Sequence, residues 1–200
     1  MLGGQALTAT ELANAADIAK QTASSHLAKL VEGKLVAVES QGRHRYFRLA
    51  DDDVAQLLES LMGVAYRTGA VRLASSPRDP ALRKARVCYD HLAGDLGVFA
   101  FERLDERRCF HHEAGLRLTP AGERFFEGLG IDLAAVRDSR RPECRTCLDW
   151  SERRHHLAGA AGAALLQRLY ALRWARREPD SRVVRFSPAG ERAFRERLAG

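Results

Sequence analysis

Ile18-Ala-Lys-Gln-Thr-Ala-Ser-Ser-His-Leu-Ala-Lys-Leu30 is the stretch whose reading decides the fold. Its apolar positions Ala23, Leu27 and Leu30, continued by Val31, recur at helical spacing, so Lys20 to about Glu32 is expected to be a helix with one apolar stripe. The other face carries Lys20, Gln21, Thr22, Ser24, Ser25 and Lys29. Upstream, Thr8-Ala-Thr-Glu-Leu-Ala begins a shorter helix, with Thr8 or Thr10 as its cap and Leu12, Ala15 and Ala16 at helical spacing. A break at Asp17-Ile18 separates the two. Gly33 is expected to end the second helix in the left-handed conformation that glycine tolerates. Two helices joined by a turn of about 3–4 residues, the second polar on its outer face, predict a helix-turn-helix.

Working outward, Leu35-Val-Ala-Val-Glu-Ser and Arg43-His-Arg-Tyr-Phe-Arg-Leu49 read as strands, and Gln41-Gly42 joins them into a hairpin. This hairpin is a wing with Arg43, His44 and Arg45 near its tip. Asp51-Asp52-Asp53 begins a further helix, where acids suit the positive end of the dipole, and Val54, Leu57, Leu58, Leu61 and Met62 line one face of it.

Taken together, Leu12-Ala13, Ile18 to Leu30, Leu35-Val36 and Gly42-Arg-His-Arg-Tyr-Phe-Arg-Leu49 resemble the winged helix of the ArsR/SmtB family of bacterial repressors over residues 6 to about 62. The most specific parts are Thr22-x-Ser24-x-His26-Leu27 and the Gly-Arg-x-x-Tyr-Phe-x-Leu wing. The resemblance implies a dimeric repressor bound to double-stranded operator DNA at a pseudo-palindromic site. Lys20, Gln21, Thr22, Ser24 and Ser25 would then face base edges in the major groove. Lys29, Arg43 and Arg45, with His44 beside them, would meet the phosphates. His26 matches the family's histidine in this helix, either as a DNA contact or as a ring packed at the helix base. Three departures stand out. The helix that family members carry ahead of this motif is expected to be missing, so either Met1 is an internal start or dimerisation relies on other elements. Ala19 stands where the family has a capping Ser. The positions of the well-known metal sites hold no thiols in the first helix and no His in residues 51–65.

Composition narrows the class. The chain has 200 residues, 46% hydrophobic and 29% charged, as in a folded soluble protein. Its net charge of +6 is unevenly spread. The basic excess lies beyond residue 65, and the helix-turn-helix segment is slightly acidic. Met1 to Lys20 shows no secretory pattern, and the weakly apolar run Leu157 to Leu166 is about half of a membrane span. A cytoplasmic location without membrane association is expected. Cys88, Cys109, Cys144 and Cys147 then read as thiols or metal ligands and not as disulfides.

A linker is expected over residues 66–80, from Gly69, Ser75-Ser-Pro-Arg-Asp and Pro80. Beyond it the sequence repeats itself loosely. His91-Leu-Ala-Gly94 precedes Leu118-Thr-Pro-Ala-Gly-Glu-Arg-Phe125, and His156-Leu-Ala-Gly159 precedes Phe186-Ser-Pro-Ala-Gly-Glu-Arg-Ala-Phe194. Cys88-Tyr-Asp and Cys147-Leu-Asp echo each other upstream. Each copy is expected to open with an apolar helix, Val87 to Leu104 or Leu157 to Trp174. A short strand follows, Leu116 to Leu118 or Val183 to Phe186. A helix capped by Thr119 or Ser187, with Pro at its first position, closes each copy. Phe99, Phe101, Phe110, Trp150 and Trp174 are candidates for a shared core. The expected fold class is mainly α with short β-hairpins (α+β). An N-terminal winged helix-turn-helix, residues 1–65, precedes a C-terminal sensing and dimerisation domain, residues 81–200, built of two winged-helix-like repeats over about 86–130 and 145–200. This part resembles the long C-terminal extension of a subset of ArsR-like regulators.

Cys144-x-x-Cys147 is a single pair, and a structural zinc site takes four ligands. Cys88, Cys109, His111, His112, His155 or His156 would have to complete it. As in three-thiolate sensors of the family, Cys88, Cys144 and Cys147 are the candidate ligands for a soft divalent metal: cadmium, lead or zinc. The alternatives are thiol-redox switching of the pair, or cysteines that only pack, Cys147 beside Trp150. Arg137, Arg140, Arg141, Arg145, Arg153 and Arg154 read as a solvated loop neutralised by Asp138, Glu143, Asp149 and Glu152, or as a contact to DNA flanking the operator. No activated nucleophile arrangement is visible, so catalysis is not expected. The function expected is a repressor that leaves its operator when the C-terminal domain binds a metal or a small molecule. The competing readings are a CxxC redox protein and a winged helix that binds protein.

Overall fold

The computed structural model describes residues 6–51, 53–55, 57, 58, 61, 64, 79–113, 115–149, 151–179 and 181–200. Helices dominate, joined by short antiparallel strands, and the chain divides into two units, Met1–Ala70 and Val71–Gly200.

In the first unit, β1 (Leu7–Thr8) leads into α1 (Ala9–Ala16), α2 (Lys20–Glu32), β2 (Val36–Gln41) and β3 (His44–Leu49). The strands form one antiparallel sheet in the order β1-β3-β2. Thr8 closes a capping box on α1. Its Oγ1 accepts from the Glu11 N–H at 3.3 Å, and its own N–H donates to Glu11 Oε2 at 2.7 Å. Asp17, at φ 53°, ends the helix. Ala19 provides no side-chain cap for α2. The C-terminus of α2 departs from the sequence expectation. Gly33 stays right-handed at φ −74°, and Lys34 takes the left-handed turn at φ 57°. The Lys34 N–H donates to the Val31 carbonyl and the Leu35 N–H to the Leu30 carbonyl, at 3.0 and 2.9 Å. This is a Schellman closure whose left-handed position falls one residue after the glycine. Gln41 pairs with His44, so Gly42-Arg43 forms a two-residue hairpin loop. Leu27, Val36 and Phe47 make a small core with Ala9, Leu12, Val31 and Val38 against it.

Asp51 Oδ1 accepts from the Val54 N–H at 2.9 Å, and the described positions from 53 to 64 are helical. Ala55 is buried, whereas Leu57 and Leu61 of the expected apolar face are exposed within this unit. Met62, Trp150 and the linker positions 66–78 lie outside the described residues.

The second unit runs α3 (Pro80–Lys84), β4 (Arg86–Cys88), β5 (His91–Ala93), α4 (Asp95–Glu106), β6 (Phe110–His111), β7 (Arg117–Leu118), α5 (Pro120–Gly128) and α6 (Leu133–Arg137). It continues with β8 (Arg145–Leu148), β9 (His155–Ala158), α7 (Gly159–Ala171), β10 (Ala175–Arg177), β11 (Val184–Phe186) and α8 (Pro188–Ala199). Hairpins pair β4 with β5, β6 with β7, β8 with β9 and β10 with β11.

The opening helices begin later than the sequence suggested. Arg86–Cys88 and His91–Ala93 are strands, as are Arg145–Leu148 and His155–Ala158, and the helices start at Asp95 and Gly159. The cause lies at Gly94 and Gly159, with φ +85° and +81°. A Cβ there would sit 2.6 Å from the Arg83 carbonyl and 2.7 Å from the Pro142 carbonyl. The chain must turn sharply at both glycines, so neither helix can extend back through them. Thr119 and Ser187 accept from the N–H groups of Gly122 and Gly190 at 3.2 and 3.0 Å, capping α5 and α8.

α4 packs against β9 and α7 against β5, so each helix lies on the hairpin of the other half. The core joins Leu96, Ala100 and Leu104 of α4 to Leu165, Leu166 and Leu169 of α7 and to Phe126, Phe194 and Leu198. Phe101 and Phe110 stack within it at 5.3 Å, and Phe99 and Trp174 pack on its edge.

Candidate functional site

Two constellations carry chemistry, one in each unit. In the first, Lys20, Gln21, Thr22, Ser24, Ser25, His26 and Lys29 of α2 are all exposed, as are Arg43, His44 and Arg45 of the wing. A groove of about 320 Å³ runs between helix and wing, with Ser24 and Ala28 on one side and Arg43, His44 and Arg45 on the other. The Arg45 guanidinium lies 5.5 Å over the buried Phe47 ring, which orients it at the groove. The two segments read separately in the sequence therefore line one surface.

The second constellation lies between the β4–β5 and β8–β9 hairpins. Cys88 and His91 from one, and Cys147 and His156 from the other, place one ligand atom each within 4.8 Å of one another. Both rings are 1% exposed, and Cys88 alone is partly open to solvent. The ring Nε2 atoms face each other at 3.2 Å. Each Nδ1 looks at a carboxylate of its own hairpin: His91 at Asp90 Oδ1, 3.2 Å, and His156 at Asp149 Oδ2, 3.3 Å. The His156 contact is not aligned as a hydrogen bond.

The carboxylates are themselves held by cations. Asp149 is fully buried and accepts from Arg86 Nη2 at 2.6 Å and from the Gly94 N–H at 2.7 Å; Asp90 pairs with Arg141. Burial opposes ionisation of Asp149, but the His156 ring, the Arg86 guanidinium and the Gly94 N–H outweigh it and hold the carboxyl far below the usual range. Burial likewise opposes ionisation of Asp90, and His91 and Arg141 hold it low. The Cys147 thiol hydrogen-bonds Cys88 and, with His156 and His91, lowers the Cys88 pKa well below its ordinary value against the effect of burial.

Close packing brings the hairpins together. A Cβ on Gly97 would meet the Leu92 carbonyl at 2.5 Å and His156 Cβ at 3.6 Å. On Gly162 it would meet the Leu157 carbonyl at 2.6 Å and His91 Cβ at 3.4 Å. Each glycine lets its helix settle on one hairpin while touching the histidine of the other.

Of the three expected metal ligands, Cys88 and Cys147 are brought together and Cys144 is not. Cys144 precedes β8 and Cys147 lies within it. An odd separation along extended chain sends side chains to opposite faces, so this CxxC does not converge as it would on a helix. Cys144 joins the hydrophobic core, where burial, with Glu143 beside it, pushes its thiol up to about 12. Cys109 is also buried in that core, and burial raises its thiol pKa. His111, His112 and His155 are exposed. His91 was not singled out as a ligand in the sequence. The signal lay in the echo of Cys88-Tyr-Asp and Cys147-Leu-Asp, each followed by the histidine of its own copy. Of the basic cluster, Arg137 pairs with Glu123 and Glu143, Arg141 with Asp90 and Arg154 with Glu102.

Among the described residues no helix is long and apolar enough to cross a membrane. A family profile described as a helix-turn-helix domain matches residues 1–39. HTH-type transcriptional regulator YdfF of Bacillus subtilis (strain 168) is 44% identical over 199 residues, covering 99% of this chain and 88% of its own length. That match spans both units, so the chain belongs to the helix-turn-helix transcriptional regulators.

Proposed function

We propose that this regulator is a cytoplasmic repressor of the ArsR/SmtB type. It binds double-stranded operator DNA as a homodimer and leaves it when the second unit takes up an effector. The observation that carries the reading is the single exposed surface shared by α2 and the wing. Lys20, Gln21, Thr22, Ser24, Ser25 and His26 would address base edges, and Lys29, Arg43, His44 and Arg45 the backbone. The exposed Leu57, Leu61 and Val64 recur at helical spacing and suit a homodimer contact. The second unit reads as an internal duplication, because hairpin, helix, hairpin and helix occur twice in the same order. Its role is sensing, and no catalytic role is assigned to it. Among effector classes, the Cys/His cluster favours a thiophilic metal ion. By linkage, an effector that prefers the DNA-incompetent conformation weakens operator affinity by the factor by which DNA weakens its own binding.

The test is fluorescence anisotropy on the intergenic DNA upstream of the gene, across a salt series. Each of Arg43→Ala and Arg45→Ala should reduce the log–log salt slope by about 1. Gln21→Ala should cost about 1–3 kcal/mol on the cognate site and little on unrelated DNA. Absence of salt-dependent binding would refute the repressor reading in favour of a protein-binding winged helix, which the slightly acidic first unit would suit. The proximity of the Cys88 and Cys147 sulfur atoms supports a second effector reading, a thiol-redox switch.

A further inference from the structure

We propose that Cys88, His91, Cys147 and His156 form a closed tetrahedral site for one Zn(II)-class ion, which ties the two hairpins of the second unit together. This deepens the effector reading by naming its ligand, but the site itself stands on four observations that do not involve DNA.

The first is geometry. With Zn–N bonds of 2.0–2.1 Å, tetrahedral ligation separates two nitrogen donors by roughly 3.3 Å. The two Nε2 atoms already stand 3.2 Å apart, with both sulfur atoms inside the same 4.8 Å sphere. No large rearrangement is required to close the shell.

The second is the proton arrangement. A carboxylate beside each Nδ1 favours keeping the ring proton there. Two neutral rings so arranged turn their Nε2 lone pairs toward each other inside the protein. Moving a proton to either Nε2 would instead turn a lone pair toward Asp90 or Asp149. A metal ion between the rings removes these conflicts without adding a ring proton, and ligation through one nitrogen with the other N–H given to a carboxylate, as His91 already has at Asp90, is the usual zinc arrangement.

The third is charge. Two thiolates neutralise a divalent ion, and two neutral imidazoles add none. The adjacent carboxylates are balanced by Arg141 on Asp90 and Arg86 on Asp149. These groups together sum to zero, and the Arg182 guanidinium acting on Cys88 adds positive charge that favours its thiolate, which suits a site with both rings and Asp149 shielded from water. This set therefore favours zinc, cobalt or cadmium over lead bound by three sulfurs.

The fourth is the origin of the ligands. Two come from each hairpin, and His91 and His156 lie 65 residues apart in the chain. Four protein ligands leave no open position for substrate or water, so the ion is structural or regulatory and not catalytic. The partly exposed Cys88 gives the ion its way in.

The experiment uses the full chain, reduced and stripped with a chelator, and titrated with Co(II), then with Zn(II) in competition with a chromophoric chelator. One equivalent should bind, with intense tetrahedral d–d bands and a thiolate-to-cobalt charge-transfer band. Cys147→Ser should weaken the charge-transfer band and bind at least 10-fold less tightly, and Cys144→Ser should bind as the wild type does. Asp90→Asn, which keeps all four ligands, should lower zinc affinity by about 10–100-fold and so tests the site even if Cys147→Ser fails to fold. Weak octahedral bands, no stoichiometric binding, or loss of the thiolate band in Cys144→Ser would overturn the proposal. Metal bound by these four ligands with operator affinity unchanged would uphold the site and refute metal as the effector. Failure to bind DNA at all would refute only the repressor reading.

Discussion

Replacing Asp149 gives the sharpest test of how the second unit is held together. The residue is fully buried, and its carboxylate accepts from Arg86 Nη2 at 2.6 Å, the Gly94 N–H at 2.7 Å, the Ser151 hydroxyl at 2.8 Å and N–H at 2.9 Å, and the Glu152 N–H at 3.1 Å. It therefore fixes the β8–β9 turn, the start of α4 and the start of β4 from one point. Arg86 is only 1% exposed. Without Asp149 it loses this buried carboxylate and keeps the Leu82 carbonyl and the Ser151 hydroxyl, at 3.0 and 2.9 Å. Removing one member of such a buried pair costs about 3–5 kcal/mol, because the other stays buried and loses its matched charge. For a unit of this size each kcal/mol moves the thermal midpoint by roughly 3–5 °C, so Asp149→Ala should fall by about 10–25 °C. The assay is equilibrium denaturation followed by tryptophan emission, since Trp150 and Trp174 both fall in the second unit's sequence. Arg86→Met combined with Asp149→Leu should cost less than the sum of the two single changes, because no charge is then stranded.

The pH dependence has a definite sign. The Asp149 carboxyl titrates lower when folded than when unfolded, so the unfolded chain binds more protons as acid is added. Its stabilisation is complete above roughly pH 5 and is lost as pH falls toward the folded pKa. Asp149→Asn should flatten this acid limb. Destabilisation of Asp149→Asn by less than about 1 kcal/mol at neutral pH, or strict additivity in the double variant, would refute the reasoning.

Gly162→Ala forces a methyl to within 2.6 Å of the Leu157 carbonyl and 3.4 Å of His91 Cβ. It should cost about 1–3 kcal/mol in denaturant unfolding and weaken metal binding together with stability. Cys144, 3% exposed and with its thiol pushed up to about 12, should resist iodoacetamide at neutral pH until the chain is unfolded, as peptide mapping of the labelled protein would show. Labelling of native Cys144 at the rate of a free thiol would contradict its placement in the core.

The winged helix was legible because its signals are local. Caps, helical periodicity and a Gly turn between two strand runs each act within a few residues. Even there, one assignment depended on backbone detail: Lys34, not Gly33, takes the left-handed position after α2, since the Schellman bonds place it at the residue after the cap. In the second unit the capped Pro helices were readable from Thr119-Pro and Ser187-Pro. The β4–β5 hairpin was not, because Val87 to Leu104 is apolar enough to pass for one helix. Only the contact of Gly94 with the Arg83 carbonyl shows where it must break.

The sequence by itself therefore determined the order and chemistry of the first unit's elements: a polar α2, a basic wing and an acidic start to the next helix. It also placed two cysteines and two histidines in echoing positions, without showing that they meet. Tertiary structure decided that Cys88, His91, Cys147 and His156 converge while Cys144 turns into the core. The physical reason is that the convergence is made by side chains packed across two hairpins. The glycines that let α4 and α7 settle on the hairpins carry no local signal of the histidines they touch.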